Sequence, residues 1–507
     1  MPDLSGSSAP VQLAPGYELT APGLVGTITE MTAEASATRG DAGLHEPAFL
    51  RALAGADVYA GKVFEIELSA EAPALADDGT RADGLTNVTR SGEPAGELAI
   101  PHQEEETDYA VLYTDEGGYT RWILPSNPPA PDTPVGAPVR FNLPRESAPT
   151  PPDAARDSQM RGPISKLGRR LVRVLAWASA GVIGAGALKV AEKWESDHRP
   201  YGFHVLTPER YATDDPQGDP VDWTRLGAGR ALLLLHGTFS TAQASYAQLG
   251  AETIKRLCDH YGGRVFAFNH PSLHQSPQDN VRQFLAEVPA GVQLDLDIMT
   301  HSRGGLVGRE LVERMAVNNA AHCQVRVRRA LLVASPNQGT ILTDPDNGLD
   351  LLDRYTNLLT NLPDNAYTLT LEGILAVAKL LAYGALTGLP GLRCLLPGGD
   401  YLADLNGRRD HAADYYAITA DYTPTDPAWI KRLGRMAADR FVDGIFGGEN
   451  DMVVPTLGSY AAGDESFGFP IPEEHLRVYR GEAGVHHTNY FSTPVVREQI
   501  VAWLTSD

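Results

Sequence analysis

The stretch that most constrains the fold is Asp297-Ile298-Met299-Thr300-His301-Ser302-Arg303-Gly304-Gly305-Leu306-Val307. An alternating apolar run ends in small residues, and a helix-compatible run follows. Such a chain leaves a strand, reverses sharply and enters a helix. The side chain at the reversal, Ser302, is then left exposed above the edge of a sheet. The surrounding half of the chain repeats this grammar. Tyr201 to Leu206 reads as a strand, and Arg230 to Leu235 as the continuous apolar strand of a sheet covered on both faces. Residues 245–260 read as helix and Val265 to Phe268 as strand. Ser276-Pro277 opens a helix, with Ser at the N-cap and Pro at the first helical position. Leu294 to Met299 leads into the reversal, and a helix runs from Ser302 to about Asn318. Val325 to Ala334, Tyr415 to Ala420 and Leu476 to Tyr479 follow as strands. The alternation implies an α/β fold: a doubly wound, mostly parallel sheet with helices on both faces and sites at the carboxyl ends of its strands.

A chain of 507 residues is too long for one ordinary domain. Residues 1–148 read as a small, mostly-β N-terminal domain, with strands at Val63 to Leu68, a hairpin of Tyr109 to Tyr113 and Tyr119 to Leu124, and Val139 to Leu143. No catalytic constellation is visible there, and His45 and His102 read as surface residues. Binding another protein is one role open to this domain. Residues 149–193 read as a Pro-rich linker and a basic, apolar helix. In it Arg169, Arg170 and Arg173 precede a 15-residue uncharged run, Val174 to Leu188. A membrane-spanning helix needs about 20 such residues. The stretch therefore reads as a packed helix, with peripheral membrane contact through 166–193 as the alternative.

The formal charge of −22 argues against nucleic acid or an anionic membrane as the main partner. The three cysteines, Cys258, Cys323 and Cys394, have no C-x-x-C spacing, so neither a disulfide framework nor a zinc site is implied. Asp344, Asp346 and Asp350 lack a complete calcium-loop pattern, and no cofactor is expected. The N-terminus carries no basic stretch followed by an apolar core. The expected location is cytoplasmic, with membrane association as the alternative.

A serine hydroxyl needs a base, a carboxylate to orient that base, and donors for the oxyanion that forms. Candidates for each occur in order along the second half. His301-Ser302-Arg303-Gly304-Gly305-Leu306-Val307 resembles the His-Ser-x-Gly-Gly-Leu-Val turn of lipase-like members of the α/β-hydrolase family. Leu235-His236-Gly237-Thr238 resembles their oxyanion turn, and Ala334 to Thr340 the turn after their next strand. Asn450-Asp451-Met452-Val453-Val454-Pro455 resembles their acid loop, and Gly484 to Phe491 their Gly-x-x-His segment. The resemblance covers roughly 200–507 and leaves the first 190 or so residues outside.

It implies an α/β-hydrolase domain at 194–507, with Ser302 as nucleophile, Asp451 as acid and His487 as base. The backbone N–H groups of Thr238 and Arg303 would form the oxyanion hole. His486 is the alternative base, and Asp443 and Glu449 are competing acids. His236 and His301 read as structural neighbours. Thr300 stands where the family has glycine, at a close approach of strand and helix. The apolar insertion at about 344–400 reads as a helical lid over an acyl chain, with a core-packing helical excursion as the alternative. The expected activity is cleavage of a carboxylic ester, with a lipid or other acyl ester as substrate, through an acyl-enzyme. Acyl transfer, thioester cleavage or amide cleavage by the same triad are the alternatives. A non-catalytic binding or scaffold protein is the alternative of another class.

Overall fold

The computed structural model describes residues 2–31, 53, 57–71, 96–115, 119–130, 132–144, 169–178, 187–199, 201–212, 220–313, 323–340, 352–353, 356–357, 375, 378, 389–407, 413–423, 448–461, 471–481 and 484–506. The chain divides into two compact units: the first is Met1–Ile183 with Leu359–Asn361 and Gly434–Ala438, the second is the remainder.

The first unit is built from antiparallel strands. One sheet has the order β1(Asp3–Ser5), β4(Leu24–Met31), β5(Tyr59–Glu71), β10(Arg169–Ala178), β7(Thr107–Thr114), β8(Thr120–Ile123). The second has the order β2(Val11–Ala14), β3(Tyr17–Thr20), β6(Gly96–Pro101), β9(Pro138–Leu143). Phe64, Ile66, Val111, Val172 and Val174 from the first sheet meet Tyr17, Leu19, Leu98 and Phe141 from the second in one core. The strands at 63–68, 109–113, 120–123 and 139–143 therefore lie in a mostly-β region.

The sequence expectation for 149–193 needs correction. Arg169–Ala178 is not a helix or part of a linker but a strand, β10, hydrogen-bonded between β5 and β7. It is buried over almost its whole length, and a strand buried on both sides is as uniformly apolar as a packed helix. The first unit thus extends past 148 to include β10. Among the described residues of this stretch, helix is found at α1(Ala187–His198), in the second unit. Among the described residues no helix is long and apolar enough to cross a membrane. His102 is buried rather than superficial, with Nδ1 3.3 Å from the Tyr109 hydroxyl. His45 lies outside the described residues.

The second unit holds a sheet in the order β11(Gly202–Val205), β13(Val265–Asn269), β12(Arg230–Leu235), β14(Gln293–His301), β15(Gln324–Val333), β16(Asp414–Asp421), β17(Leu476–Arg480). Only β11 runs antiparallel to its neighbour among these. Among the described residues the helices after α1 are α2(Trp223–Gly227), α3(Ala242–Tyr246), α4(Gly250–His260), α5(Pro277–Glu287), α6(Gly304–Glu313), α7(Pro390–Arg393), α8(Asp400–Asn406), α9(Thr456–Tyr460) and α10(Pro494–Leu504). Ser276 caps α5 in a reciprocal box with Asp279.

Leu232, Leu234, Val265 and Met299 face a core completed by α4 and α10, through Ile254, Leu257, Val496 and Ile500. Leu233, Leu235, Phe266 and Ile298 face the opposite core, with Phe284 of α5 and Leu311 of α6. Burying each such side chain contributes about 2 kcal/mol. From β12 the chain moves to one side for β13, then crosses to the other for β14. The crevice at that reversal of direction, beyond the carboxyl ends of β12 and β14, is where ligands bind in open α/β sheets.

Candidate functional site

Ser302 stands where β14 ends and α6 begins, with φ of 52°. A left-handed backbone costs a non-glycine residue about 1–2 kcal/mol. The turn is held by Ser302 N–H donating to Val333 O at 2.9 Å and by Gly305 N–H donating to Ser302 O at 2.8 Å. Small residues are required around it. A Cβ on Gly304 would lie 2.3 Å from Leu235 O, and one on Gly305 would lie 2.1 Å from Ser335 Oγ. Thr300 is accommodated by an exchange of volume. Its Cγ2 lies where a Cβ on Gly308 would come within 2.9 Å, so the glycine that permits close packing is on the helix.

His487 Nε2 is 3.0 Å from Ser302 Oγ, and His487 Nδ1 is 2.9 Å from Asp451 Oδ2. The His487 N–H also donates to Asp451 O at 3.0 Å, which ties the ring's backbone to the carboxylate's. Asp451 is fully buried and accepts from the N–H groups of Val453 at 3.0 Å and Val454 at 2.8 Å, and from the Tyr490 hydroxyl at 2.9 Å. Burial by itself would raise its pKa. The adjacent His487, in charge and hydrogen bond, and the two N–H donors outweigh burial and hold it below the usual carboxylate range.

The neighbouring histidines occupy other roles. His486 Nδ1 lies 3.2 Å from Thr488 Oγ1, and its ring stands edge-on to Tyr422. His301 Nε2 donates to His487 O at 3.0 Å, and burial pushes its pKa down to about 3. His236 Nδ1 donates to Gly237 O at 2.8 Å, its Nε2 accepts from His270 N–H at 3.1 Å, and burial lowers its pKa to about 4. Glu449 is exposed and paired with Arg480 at 2.5 Å, away from any imidazole partner here. Asp443 lies outside the described residues.

The turn after β12 abuts the serine: a Cβ on Gly237 would be 2.9 Å from Ser302 Cβ. Phe239 follows with φ of 58°. Neither the Thr238 nor the Arg303 N–H has an acceptor among the described residues. Two free backbone donors beside a hydroxyl that touches an imidazole can stabilise negative charge developing on an oxygen there. The Arg303 side chain is itself buried and donates to Gly391 O at 3.0 Å, Asn280 Oδ1 at 3.1 Å and Gln275 O at 2.6 Å.

The residues 198–505 match the family described as Domain of unknown function (DUF7379). The chain belongs to this family. No curated protein matches the sequence. Among solved structures the DUF7379 chain is similar to phospholipase PlaB from Legionella pneumophila, at 17% identity over 55% of this chain and 60% of that one, with a TM-score of 0.35. It is also similar to lipase 1 from Pelosinus fermentans, at 13% identity over 54% of this chain and 97% of that one, with a TM-score of 0.36. Aspergillus fumigatus lipase B matches at 12% identity over 60% of this chain and 56% of that one, with a TM-score of 0.32. The match spans less than two thirds of the length of PlaB and of the Aspergillus lipase.

Several residues of the DUF7379 site carry no mark in the sequence. Tyr490 is visible there only as a neighbour of the histidine pair, yet its hydroxyl reaches Asp451. Tyr246 donates to both Leu235 O at 2.7 Å and Met299 O at 3.2 Å, bridging the ends of β12 and β14. Most of the expected lid at 344–400 lies outside the described residues; α7 at its end supplies Gly391 O to Arg303. Among the described residues no group of His, Cys, Asp and Glu is arranged to hold a metal ion.

Proposed function

We propose that this protein is a serine hydrolase that cleaves a carboxylic ester. The observation that carries the proposal is the line Asp451–His487–Ser302, with contacts of 2.9 and 3.0 Å, ending on a serine in the left-handed conformation. In this reading His487 Nε2 takes the proton as Ser302 Oγ attacks the ester carbonyl. Asp451 keeps the proton of the imidazole on Nδ1 and stabilises its charged form. The N–H groups of Thr238 and Arg303 receive the oxyanion. Collapse expels the alcohol, which leaves with the proton from His487, and the acyl group stays on Ser302. Water then attacks the acyl-enzyme, giving a proton to His487, which passes it to Ser302 Oγ as the bond to the acyl group breaks and the carboxylic acid departs.

The test is turnover of a p-nitrophenyl ester series together with labelling by a fluorophosphonate probe. Ser302→Ala is expected to lose the label and to lower kcat by about 10⁴ to 10⁶. Its melting temperature should stay close to that of the wild type. Label or turnover that survives in a folded Ser302→Ala would sink the reading.

A further inference from the structure

The residue that organises the oxyanion side of the site lies outside the family match. Glu195 is on α1, before residue 198, and is almost completely buried. Its Oε1 accepts from Ser272 N–H at 2.6 Å, Leu273 N–H at 3.0 Å and the Ser272 hydroxyl at 3.3 Å. Its Oε2 accepts from Leu273 N–H at 3.2 Å and His274 N–H at 3.1 Å, and faces His274 Nδ1 at 2.6 Å. Three consecutive N–H groups thus converge on one carboxylate. Removing that carboxylate from water is costly, and only charge-assisted bonds of this kind offset it.

The loop so gathered, residues 270–275, grips both members of the proposed donor pair. His270 N–H donates to His236 Nε2 at 3.1 Å. Ser272 Oγ accepts from Phe239 N–H at 3.1 Å while giving its own hydrogen to Glu195. These two contacts hold the residues that bracket Gly237–Thr238. On the other side, Gln275 O accepts from the Arg303 guanidinium at 2.6 Å. Gly391, which also accepts from Arg303, donates its N–H to Leu273 O at 2.9 Å. Phe239 is a bulky residue at φ of 58°, a conformation that persists only where surrounding contacts impose it.

We infer that Glu195 is a positioning residue for the oxyanion hole, acting through Ser272 on the Thr238–Phe239 turn and through Gln275 on Arg303. The inference rests on the serine-hydrolase reading above. It does not require Glu195 to touch substrate. Losing the carboxylate should leave ester binding intact and weaken only the species that carries charge on the carbonyl oxygen.

The experiment uses the full chain. Glu195→Gln keeps the shape of the side chain but places an amide NH₂ opposite N–H donors. Ser272→Ala leaves the carboxylate and its three backbone N–H donors in place and removes the one hydroxyl that links Glu195 to the Phe239 N–H. The measurements are kcat and KM for a p-nitrophenyl ester, and affinity for an aryl trifluoromethyl ketone, whose adduct with Ser302 presents an oxyanion.

Glu195→Gln is expected to lower kcat by about 10- to 100-fold, less than loss of a donor itself, with KM within about twofold. Ketone affinity should fall by the same factor as kcat. Ser272→Ala should show the same parallel loss, smaller in size. A folded Glu195→Gln with unchanged kcat, or with kcat lowered and ketone affinity unchanged, overturns the inference. If Glu195→Gln does not fold, Ser272→Ala decides: parallel loss supports the inference and an unchanged kcat overturns it. A wild type without Ser302-dependent turnover fails the hydrolase reading and takes this inference with it. An active wild type with unaffected variants sinks the inference alone.

Discussion

The two units use the left-handed backbone in opposite ways. In the first, the non-glycine residues with positive φ are Asp57 and Glu106 among the described residues, both exposed, and there the conformation closes tight turns in water. In the second they are Phe239, Ser302, Ala334 and Met452 among the described residues. These lie after β12, β14, β15 and β16, on one edge of one sheet, and three of them are buried. The same local cost is scattered at the surface of one unit and collected at a single edge of the other. Strain persists where packing over-determines it, and such concentrations accompany sites at which groups are held ready rather than relaxed. The first unit's mostly antiparallel pairing makes no comparable demand, because each strand can be followed by an ordinary turn.

The sharpest way to break the comparison is to disarm the strained edge chemically. Asp451→Asn keeps acceptors for Val453 and Val454 but presents the wrong partner to His487 Nδ1. It should lower kcat about 10⁴-fold. Asp57→Asn, in the first unit, should leave the rate unchanged. Turnover of Asp451→Asn within tenfold of the wild type would mean that the collected strain serves packing and not reaction.

A smaller effect separates the glycines. Gly136, at φ of +89° with nothing within 4 Å of where a Cβ would stand, should tolerate alanine at a cost of about 1–2 kcal/mol. Gly304→Ala forces a methyl against Leu235 O and His236 O, at 2.3 and 2.6 Å, and should cost about 3 kcal/mol or more. Urea unfolding of each variant measures the difference. Equal losses would erase the distinction between an open turn and a crowded one.

A third effect is a pH slope. His236 has an ordinary value of 6.5 and is lowered to about 4 by burial in the folded chain. Between those values the unfolded state binds the proton and the folded state does not, so stability rises with pH. The contribution is fully present above pH 6.5, is lost as pH falls towards 4, and is on the order of 3 kcal/mol. His301, lowered to about 3, adds in the same direction. Unfolding midpoints of the second unit measured from pH 7 to pH 4 should fall accordingly, and a flat profile would show that these histidines are not held neutral.

How much is readable in advance follows from where each interaction is encoded. Arg230 to Leu235 announces a doubly covered strand because such a strand has no polar face. Ser302, Asp451 and His487 are nominated because the short motifs around them resemble those of a known family, and the fold links them through contacts of 2.9 and 3.0 Å. Arg169–Ala178 misleads because a central strand and an apolar helix draw on the same residues when no face is left polar. His102 misleads because a lone histidine does not reveal whether a tyrosine will meet it. Glu195 is invisible for a different reason: most of its partners are backbone N–H groups, 77 to 79 positions away, and any residue but proline supplies one.

The pairing of Thr300 with Gly308 carries a consequence for how such sites vary. The close approach of β14 and α6 sets a ceiling on the combined bulk of two facing positions, and it is silent about which of them is small. Thr300→Gly alone should open a void, and Gly308→Ala alone should collide. Introduced together they trade a methyl across the seam and should largely cancel. A pattern that insists on glycine two places before the serine would pass over this chain. One that scores the two positions as a single volume would retain it.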